Sequence, residues 1–476
     1  MLKQILRDSV LSSAEIPEKI CRETASLIIQ EYYNCHSILV LCGNNDTGHI
    51  GLKLVNDLSS FQIKVDLLEG KEKSFSYEDI KSILVKKKDR KDVIKNADLI
   101  IDCVYGSDFH GKLKEDIRDI FRYINDLDKT VISLDINSGA EADTGCYDHD
   151  ALHSDLTLAI GCYRPFHMLS KEHRLFEKVQ VLDAGFKKAS VSHWHEMNED
   201  LFFKSFPHKP VNAYKGTYGK TLLVGGSYGM AGALSLNITG AKTVGASYIN
   251  VALPDEVYGI VASHHITPVY HPFHRENMKD TLLPLIHDAK AIAFGSGSVN
   301  MDRKMDVMDM ILQNSTVPVV LDAEALRLLD HNTYILNFVK EPVILTPHIG
   351  EFSAILNKPV EVVQDHKIEY ASMFTRKYKV YVVLKGPDTI VAAPSGEMYI
   401  NQSGCQALAQ AGSGDLLTGI MAGTLTMVSD VFQAVCMAVW LHGYLAEIGT
   451  RTHSIQNFDL LSYPDIMDQL FKKHGF

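Results

Sequence analysis

Short apolar runs rich in β-branched residues recur along the chain, and each ends in Gly, Asp, Asn or Pro. Amphipathic or helix-like segments lie between them. Short buried strands that alternate with helices are typical of an α/β fold with a mostly parallel sheet. In such sheets ligands bind at the carboxyl ends of the strands, so the residues just after each run are the candidates for chemistry. The strongest runs are 37–43, 97–106, 130–139, 156–161, 220–226, 247–254, 291–297, 318–326, 342–348 and 379–386.

The chain has 476 residues, which is more than one ordinary core accommodates. Residues 187–211 are polar, carry two prolines and lack a strand pattern. We therefore predict a domain boundary near residue 200, with domains 1–200 and 201–476. Residues 1–36 show no clear helix pattern ahead of the first strand.

The composition is that of an ordinary soluble globular protein. A net charge of -11 and a pI near 6.0 argue against a nucleic-acid partner. The N-terminus carries charges where a signal peptide needs an apolar run, and no stretch approaches the ~20 apolar residues of a membrane helix. The eight cysteines form no Cys-x-x-Cys pair, which favours buried free thiols. These features predict a cytoplasmic protein that binds no membrane.

The most informative segment is 401–425, where AGSGD precedes an apolar helix-like run. A Gly-Ser-Gly turn that opens a helix leaves backbone N–H groups free for an anion. Asp415 then lies beside that anion site, where a carboxylate can take a proton from a hydroxyl that attacks a phosphoryl group. An aspartate at a helix start is also a common N-cap, so this segment alone leaves both interpretations open.

Other polar segments follow neighbouring strands. KGPDT at 385–389 can hold nucleotide phosphates, or can be a plain Pro-Asp turn. TPHIGE places His348 at another strand end, and VVLDAEAL does the same for Asp322. Two Gly-rich turns, GGSYGMAGA and FGSGSVN, follow further strands. We expect all of these segments to face one cleft.

Taken together and in this order, these motifs resemble the ADP- or ATP-dependent NAD(P)H-hydrate dehydratases of the ribokinase-like superfamily, over nearly all of 212–450. The resemblance implies a ribokinase-like α/β/α domain that phosphorylates the ring hydroxyl of (6S)-NAD(P)H hydrate and then releases phosphate. It implies Asp415 as the catalytic base and Mg²⁺ that accompanies the nucleotide. The implied nucleotide contacts are Lys385, Gly386, Pro387, Asp388, Thr389 and Gly414. The implied hydrate contacts are Ala233, Gly297, His348 and Asp415.

The first domain reads as a Rossmann-like three-layer fold and resembles the NAD(P)H-hydrate epimerase domain. Alignment on Gly48 and Gly51 leaves both asparagines of that family's first loop without a counterpart, and Ile50 replaces its acidic residue. The fold resemblance is therefore stronger than the evidence for epimerase activity. The implied hydrate contacts are Asp46, Thr47, Gly48, His49, Ile50, Gly106, Ser107, Asp108, Phe109, His110, Gly111, Lys112 and Asp135. The implied K⁺ ligands are Thr47, Asp102 and Ser138.

Two alternatives remain at this stage. The second domain can be a small-molecule kinase of the same superfamily, acting on a sugar or vitamin precursor and leaving a stable phosphorylated product. The first domain can be a nucleotide-binding or oligomerisation module without activity. The resemblance also leads us to expect a homo-oligomer.

Overall fold

The computed structural model of the protein describes residues 15–59, 64–69, 83–84, 90–185 and 193–476. The chain divides into two compact units, Met1–Ser192 and His193–Phe476. The division falls between residues 192 and 193, within the segment 187–211 that the sequence marks as a boundary. The reason is that Trp194 and His195 pair with a strand of the second unit, whose core also contains Phe202 and Phe203. Residues 187–192, part of the predicted linker, lie outside the described residues.

The first unit contains a seven-stranded sheet. Its strands are β1 (Ser37–Cys42), β2 (Lys64–Glu69), β3 (Ile83–Leu84), β4 (Leu99–Cys103), β5 (Thr130–Leu134), β6 (Ser154–Ile160) and β7 (Phe176–Leu182). Its helices are α1 (Glu15–Glu31), α2 (Asp46–Ser59), α3 (Arg90–Asn96), α4 (Glu115–Asn125), α5 (Pro165–Met168) and α6 (Ser170–His173).

All seven strands run parallel, in the order β3-β2-β1-β4-β5-β6-β7. Alternate residues of β1 belong to two separate cores. Ile38 and Val40 pack with α1 and α2, whereas Leu39 and Leu41 pack with α3 and α4. The sheet therefore lies between two helical layers, which confirms the predicted three-layer architecture. The presence of α1 shows that the sequence interpretation of residues 1–36 was wrong over Glu15–Glu31.

The second unit contains a ten-stranded sheet. Its strands are β8 (Trp194–His195), β9 (Thr221–Val224), β10 (Ile249–Pro254), β11 (Val269–Phe273), β12 (Ala291–Phe294), β13 (Val319–Leu321), β14 (Val343–Leu345), β15 (Tyr381–Leu384), β16 (Ile390–Ala392) and β17 (Met398–Ile400). Its helices are α7 (Glu199–Ser205), α8 (Ala231–Thr243), α9 (Asp255–His264), α10 (Met278–Asp288), α11 (Lys304–Asn314), α12 (Glu324–Leu328), α13 (Ile349–Leu356), α14 (Val360–Asp365), α15 (Lys367–Tyr378), α16 (Ser413–Met427), α17 (Val431–Gly449) and α18 (Tyr463–Lys473).

The strands follow the order β11-β10-β9-β12-β13-β14-β15-β16-β17-β8. Those from β11 to β15 are parallel, and β16 lies antiparallel to both β15 and β17. The carboxyl ends of β9, β12, β13, β14 and β15 therefore lie along one edge of the sheet. This is the edge where the sequence places its polar motifs.

Two glycines bring α8 and α16 into close contact. A Cβ atom at Gly240 would lie 2.2 Å from the carbonyl oxygen of Leu416, and one at Gly419 would lie 2.0 Å from that of Asn237. Neither distance is compatible with a side chain, so only glycine permits this crossing. The close packing fixes the position of the first turn of α16, which carries Asp415.

Helix α17 is long and apolar enough, by length and composition alone, to cross a membrane. It has 19 residues, and 72% of its most apolar window is buried within the protein. Its side chains belong to the core of the second unit, from Phe432 to Ala446. The described residues therefore contain one 19-residue apolar helix that sequence inspection overlooked, and it is a core helix of the second unit.

All eight cysteines are free thiols, as predicted, but they are not all buried. Cys21, Cys42, Cys103 and Cys436 are buried, whereas Cys162 is exposed. Burial raises the pKa of Cys21 to about 12, and raises the pKa of Cys103 and Cys436 well above the ordinary value. Thiols with such a high pKa are poor nucleophiles, so we assign these three a packing role.

Candidate active sites

The AGSGD segment forms a turn that opens α16, as the sequence predicts. Gly412 precedes the helix with a φ of 91°, a left-handed conformation that favours glycine. The N–H groups of the first helical turn, which includes Asp415, have no partner within the helix. Together with the positive end of a 15-residue helix, they make an anion site at the edge of the sheet.

A buried ion pair lies directly beside this turn. The Nζ atom of Lys385 donates to Oδ1 of Asp322 at 2.8 Å. The same Nζ would be 3.2 Å from a Cβ atom at Gly414, so glycine leaves room for the ammonium next to the anion site. Hydroxyl groups of Thr346 and Thr418 also donate to Asp322, each at 2.8 Å. The carboxylate thus holds Lys385 in a fixed position at the start of α16.

The pKa of Asp322 is held below its ordinary value although burial opposes ionisation. The positive charge and hydrogen bond of Lys385, together with the hydrogen bonds from Thr346 and Thr418, outweigh that burial. Burial of Lys385 acts to lower its pKa, but the negative charge and hydrogen bond of Asp322 act in the opposite direction. The pKa of Lys385 is raised as a result. Both groups are therefore charged near neutral pH. The sequence analysis placed Asp322 at a strand end but gave it no role. Its position directly after a buried strand is the signal that marks it as a site residue.

Asp415 has a pKa of about 6, above its ordinary value of 3.8. Burial is the largest cause, and the nearby negative charge of Asp322 adds to it. A hydrogen bond from Ser296 and the charge of Lys385 act in the opposite direction. A general base is most effective when its pKa lies near the working pH, so this carboxylate is suited to accept a proton.

Two of the predicted Gly-rich turns meet at this edge. A Cβ atom at Gly297 would lie 3.1 Å from Cβ of Ala233, and the hydroxyl of Ser227 donates to the carbonyl of Gly297 at 2.6 Å. The amide of Asn237 then donates to Ser296 at 3.0 Å and to the carbonyl of Asp415 at 2.7 Å. Hydrogen bonds through Ser296 and Asn237 therefore link the turn of Gly297 to Asp415, and Ala233 lies beside Gly297. Sequence analysis did not identify Asn237, which lies in the middle of an apolar helix.

The KGPDT segment forms the hairpin turn between β15 and β16. Its tip, Gly386 and Pro387, is exposed, whereas Asp388 and Thr389 are buried. The hydroxyl of Thr389 donates to the carbonyl of Gly386 at 3.0 Å. This hydroxyl therefore holds the turn together, and Lys385 is the side chain of the segment that reaches the anion site.

His348 begins α13 and caps it. Its Nδ1 atom accepts from the N–H groups of Gly350 and Glu351 at 3.1 and 3.2 Å, while Glu351 accepts from the N–H of His348 at 2.9 Å. The N–H of Lys385 donates to Pro347 at 2.8 Å, which places the two motifs side by side. His348 also lines a cleft of about 520 Å³. The other residues that line this cleft are Val299, Ala323, Glu324, Leu326, Arg327, Asp330, Gly350, Glu351 and Ala354.

In the first unit, Asp102 and Ser138 lie together at the carboxyl ends of β4 and β5. Oδ1 of Asp102 accepts from the hydroxyl of Ser138 at 2.6 Å and from the N–H of Val104 at 3.1 Å. Oδ2 accepts from the N–H of Ser138 at 2.8 Å and from the hydroxyl of Ser133 at 3.1 Å. Both oxygens of this buried carboxylate already have two donors. These donors hold the carboxylate in place, and the K⁺ site of Thr47, Asp102 and Ser138 stays a prediction.

The first turn of α2 contacts the loop after β4. A Cβ atom at Gly106 would lie 2.1 Å from Oγ1 of Thr47, so the predicted hydrate loops meet there. Two residues of the predicted set have buried side chains, and their hydrate contacts stay predictions. Ile50 is 8% exposed and packs with α1, and Phe109 is 3% exposed and packs against Tyr105. Both residues belong to the hydrophobic core. The exposed members of the predicted set are Asp46, His49, Asp108, His110, Gly111 and Lys112.

Asp135 follows β5 and has a φ of 67°, a left-handed conformation. Its Oδ2 atom lies 3.8 Å from Nη2 of the buried Arg164. Burial raises the pKa of Asp135, and Arg164 and a hydrogen bond from Ser107 oppose that effect. Ser107 lies in the loop after β4, so two predicted hydrate contacts meet at one carboxylate. The sequence analysis did not identify Arg164 as a site residue. Its position shortly after Gly161, where a strand ends, is the signal that could have identified it.

Asn45 also lies at this edge, although the sequence alignment had set both asparagines aside. Its Oδ1 accepts from the N–H of Gly48 at 2.8 Å, and its Nδ2 donates to the carbonyls of Val104 and Tyr105 at 2.8 and 3.2 Å. It thus joins α2 to the end of β4. The adjacent cavity of about 730 Å³ is lined by Gly43, Asn44, Asn45, Val104, Tyr105, Lys114, Glu115, Asp116, Ile117 and Asp119.

Comparison with protein-family models identifies both units. The NAD(P)H-hydrate dehydratase model matches residues 221–465, which is more than half of the chain. The chain belongs to the NAD(P)H-hydrate dehydratase family. The model of the YjeF-related protein N-terminus matches residues 13–166. These two domains in this order are those of the bifunctional NAD(P)H-hydrate repair enzymes.

Individual relatives of this family agree with the assignment. The bifunctional NAD(P)H-hydrate repair enzyme of Moorella thermoacetica is 28% identical over 93% of this chain and 90% of its own. The crystal structure of the ADP/ATP-dependent NAD(P)H-hydrate dehydratase from Bacillus subtilis, co-crystallised with ATP and Mg²⁺, is 33% identical. It covers 58% of this chain and 97% of its own, with a TM-score of 0.53.

A ribokinase-like superfamily protein from Enterococcus faecalis shares the fold at 20% identity, with a TM-score of 0.52 over 60% of this chain and 99% of its own. The predicted ribokinase-like fold of the second unit is confirmed. The family assignment favours the dehydratase over the sugar or vitamin kinase.

Proposed function

We propose that this protein repairs hydrated NADH and NADPH, and that its second unit dehydrates the (6S) hydrate with ADP or ATP as phosphoryl donor. The observation that carries this proposal is the carboxylate of Asp415, with a pKa of about 6, at an anion-binding helix start beside the ammonium of Lys385. A base next to an anion site suits the transfer of a phosphoryl group to a hydroxyl.

In the proposed reaction, Asp415 accepts the proton of the ring hydroxyl as its oxygen attacks the terminal phosphorus. The bond from that phosphorus to the leaving nucleotide breaks, and a phosphate ester forms on the ring. The ring nitrogen then donates its electron pair as the C–O bond to phosphate breaks. Loss of a proton from the adjacent ring carbon restores the double bond, giving NAD(P)H and free phosphate. Hydroxide is a poor leaving group and phosphate is a good one, so phosphorylation makes the elimination feasible.

The protein's own groups bind and orient the reactants. The proposed contacts of the nucleotide phosphates are the first turn of α16 with Gly414, the Lys385 ammonium and the exposed tip of the 385–389 hairpin. Mg²⁺ accompanies the nucleotide and neutralises its phosphate charge. Ala233, Gly297 and His348 are the proposed contacts of the hydrate. The B. subtilis relative is named for both ADP and ATP, which supports either donor.

For the first unit we propose interconversion of the R and S hydrates. The support is the buried pair of Asp135 and Arg164 next to Ser107, at the edge where the loops of Thr47 and Gly106 meet. K⁺ at Thr47, Asp102 and Ser138 stays a prediction. Comparing the midpoint of thermal unfolding in K⁺ and Na⁺ buffers tests for that ion. A cytoplasmic location and a homo-oligomer stay predictions.

The two activities are separated by supplying each hydrate alone. The purified protein is incubated with Mg·ADP or Mg·ATP and either the S or the R hydrate of NADPH, and the return of reduced-nicotinamide absorbance is followed. Restoration of both epimers supports both proposals. Restoration of the S hydrate alone overturns the proposed epimerase. No restoration with either donor overturns the proposed dehydratase.

A further inference from the structure

A buried histidine of α17 contacts the anion-binding turn. Nε2 of His442 lies 3.0 Å from the hydroxyl oxygen of Ser413, the first residue of α16. His442 is 7% exposed, and its Nδ1 atom has no hydrogen-bond partner in the described part of the chain. Tyr463 donates its hydroxyl to the carbonyl of His442 at 2.6 Å and packs edge-on against the imidazole. The ring is therefore held in place, and its one hydrogen bond goes to Ser413.

The imidazole of His442 is neutral at physiological pH. Burial, and then the positive charge of Lys385, lower its pKa to about 3. Ser413, which the imidazole contacts, directly precedes Gly414, where a Cβ atom would lie 3.2 Å from Nζ of Lys385. The contact between His442 and Ser413 is thus part of the surroundings of that site and is not a remote packing contact.

A neutral imidazole carries one N–H, so the direction of this hydrogen bond matters. If Nε2 accepted, the single proton of Ser413 would be directed to the histidine, and only lone pairs would remain for a bound anion. If Nε2–H donates, the hydroxyl keeps its proton for a phosphoryl oxygen. The second arrangement is electrostatically favoured when phosphate occupies the turn.

We propose that His442 is a positioning residue that donates Nε2–H to Ser413, fixes the first turn of α16, and directs the Ser413 hydroxyl to the nucleotide phosphate. This inference rests on the proposed dehydratase function and adds two residues to its phosphate site. The imidazole contributes through Ser413 and takes no part in proton transfer.

Three variants test the proposal. His442→Met removes the hydrogen bond, His442→Gln retains an amide N–H at the same reach, and Ser413→Ala removes the hydroxyl. We expect His442→Met and Ser413→Ala each to lower kcat/KM for Mg·ADP about tenfold, the usual effect of losing one such bond. The double variant should lose no more than either single variant, because both act through one interaction. His442→Gln should recover most of the activity.

Thr424→Ala serves as the matched control, since Thr424 is a buried residue of α16 whose hydroxyl bonds only within that helix. It should leave kcat/KM unchanged. Calorimetric binding of Mg·ADP, with the same tenfold losses expected, gives a readout independent of turnover. Wild-type affinity in His442→Met, or a double variant whose loss is the product of the single losses, overturns the inference. An inactive wild-type enzyme that binds Mg·ADP overturns the proposed function instead. If His442→Met fails to fold, Ser413→Ala and His442→Gln carry the same comparison.

Discussion

The pH dependence of the dehydratase reaction follows from the pKa of Asp415. A carboxyl group with a pKa of about 6 is about 90% ionised at pH 7 and about 10% ionised at pH 5. Because the reaction needs the ionised base, kcat/KM should fall about tenfold between these two pH values. An ordinary carboxyl, with a pKa of 3.8, would be more than about 90% ionised at both and would give a nearly flat profile.

The measurement is the initial rate of absorbance return at limiting S hydrate, from pH 5 to 8. A reaction without enzyme corrects for the acid lability of NADPH, and calorimetric binding of Mg·ADP across the same range corrects for titration of the nucleotide. Asp322→Asn is the informative variant. The negative charge of Asp322 raises the pKa of Asp415, so its removal should lower that pKa. The midpoint of the pH profile should move down accordingly, in addition to any loss of rate.

A wild-type profile that stays flat from pH 7 to 5 would refute the assignment of the base to Asp415. A midpoint that does not move in Asp322→Asn would refute the proposed electrostatic coupling. It would leave burial as the sole cause of the raised pKa.

Three further predictions concern individual side chains. Asp415→Asn should abolish turnover and stabilise the fold at pH 8 by about 1 to 3 kcal/mol, measured by urea unfolding. The folded state raises the pKa of Asp415, so ionising this carboxyl group destabilises the fold. That destabilisation is fully present above pH 6 and absent below pH 3.8, so the stability gained by Asp415→Asn should be smaller at pH 5. Lys385→Met should weaken Mg·ADP binding, measured by calorimetry, and should lower kcat at least about 100-fold. It also leaves the buried Asp322 carboxylate without its cationic partner, so it should destabilise the fold by about 3 kcal/mol, measured by urea unfolding. Asp135→Asn should stop repair of the R hydrate and leave repair of the S hydrate unchanged in the absorbance assay.

The fold was predictable where the strands are continuous apolar runs. β1, β4, β9 and β12 are such runs, and their polar endings mark the functional edge of each sheet. The short strands β8 and β16 were not predicted, because they carry too few residues for a periodic pattern. Helix α1 was also not recognised, although its buried residues Ile16, Ile20 and Leu27 recur at helical spacing.

The site was predictable as a set of motifs, but not as a set of contacts. Asp415 and Lys385 follow from the Gly-rich turn and the strand end. The roles of Asn237 and His442 depend on how α8 and α17 cross α16, and a single sequence does not encode that crossing in any local pattern. Ile50 illustrates the converse: an alignment places it in the hydrate loop, whereas packing places it in the core.

The central claim is that phosphorylation at the Asp415 site leads to elimination. The most direct measurement is the stoichiometry of the reaction with the S hydrate of NADPH and ADP, with NADPH, AMP and free phosphate quantified in the same sample. We predict one AMP and one free phosphate for each NADPH restored, and none of the three with Asp415→Asn. A stable phosphorylated product without return of NADPH, or restoration of NADPH without consumption of ADP, would contradict the account.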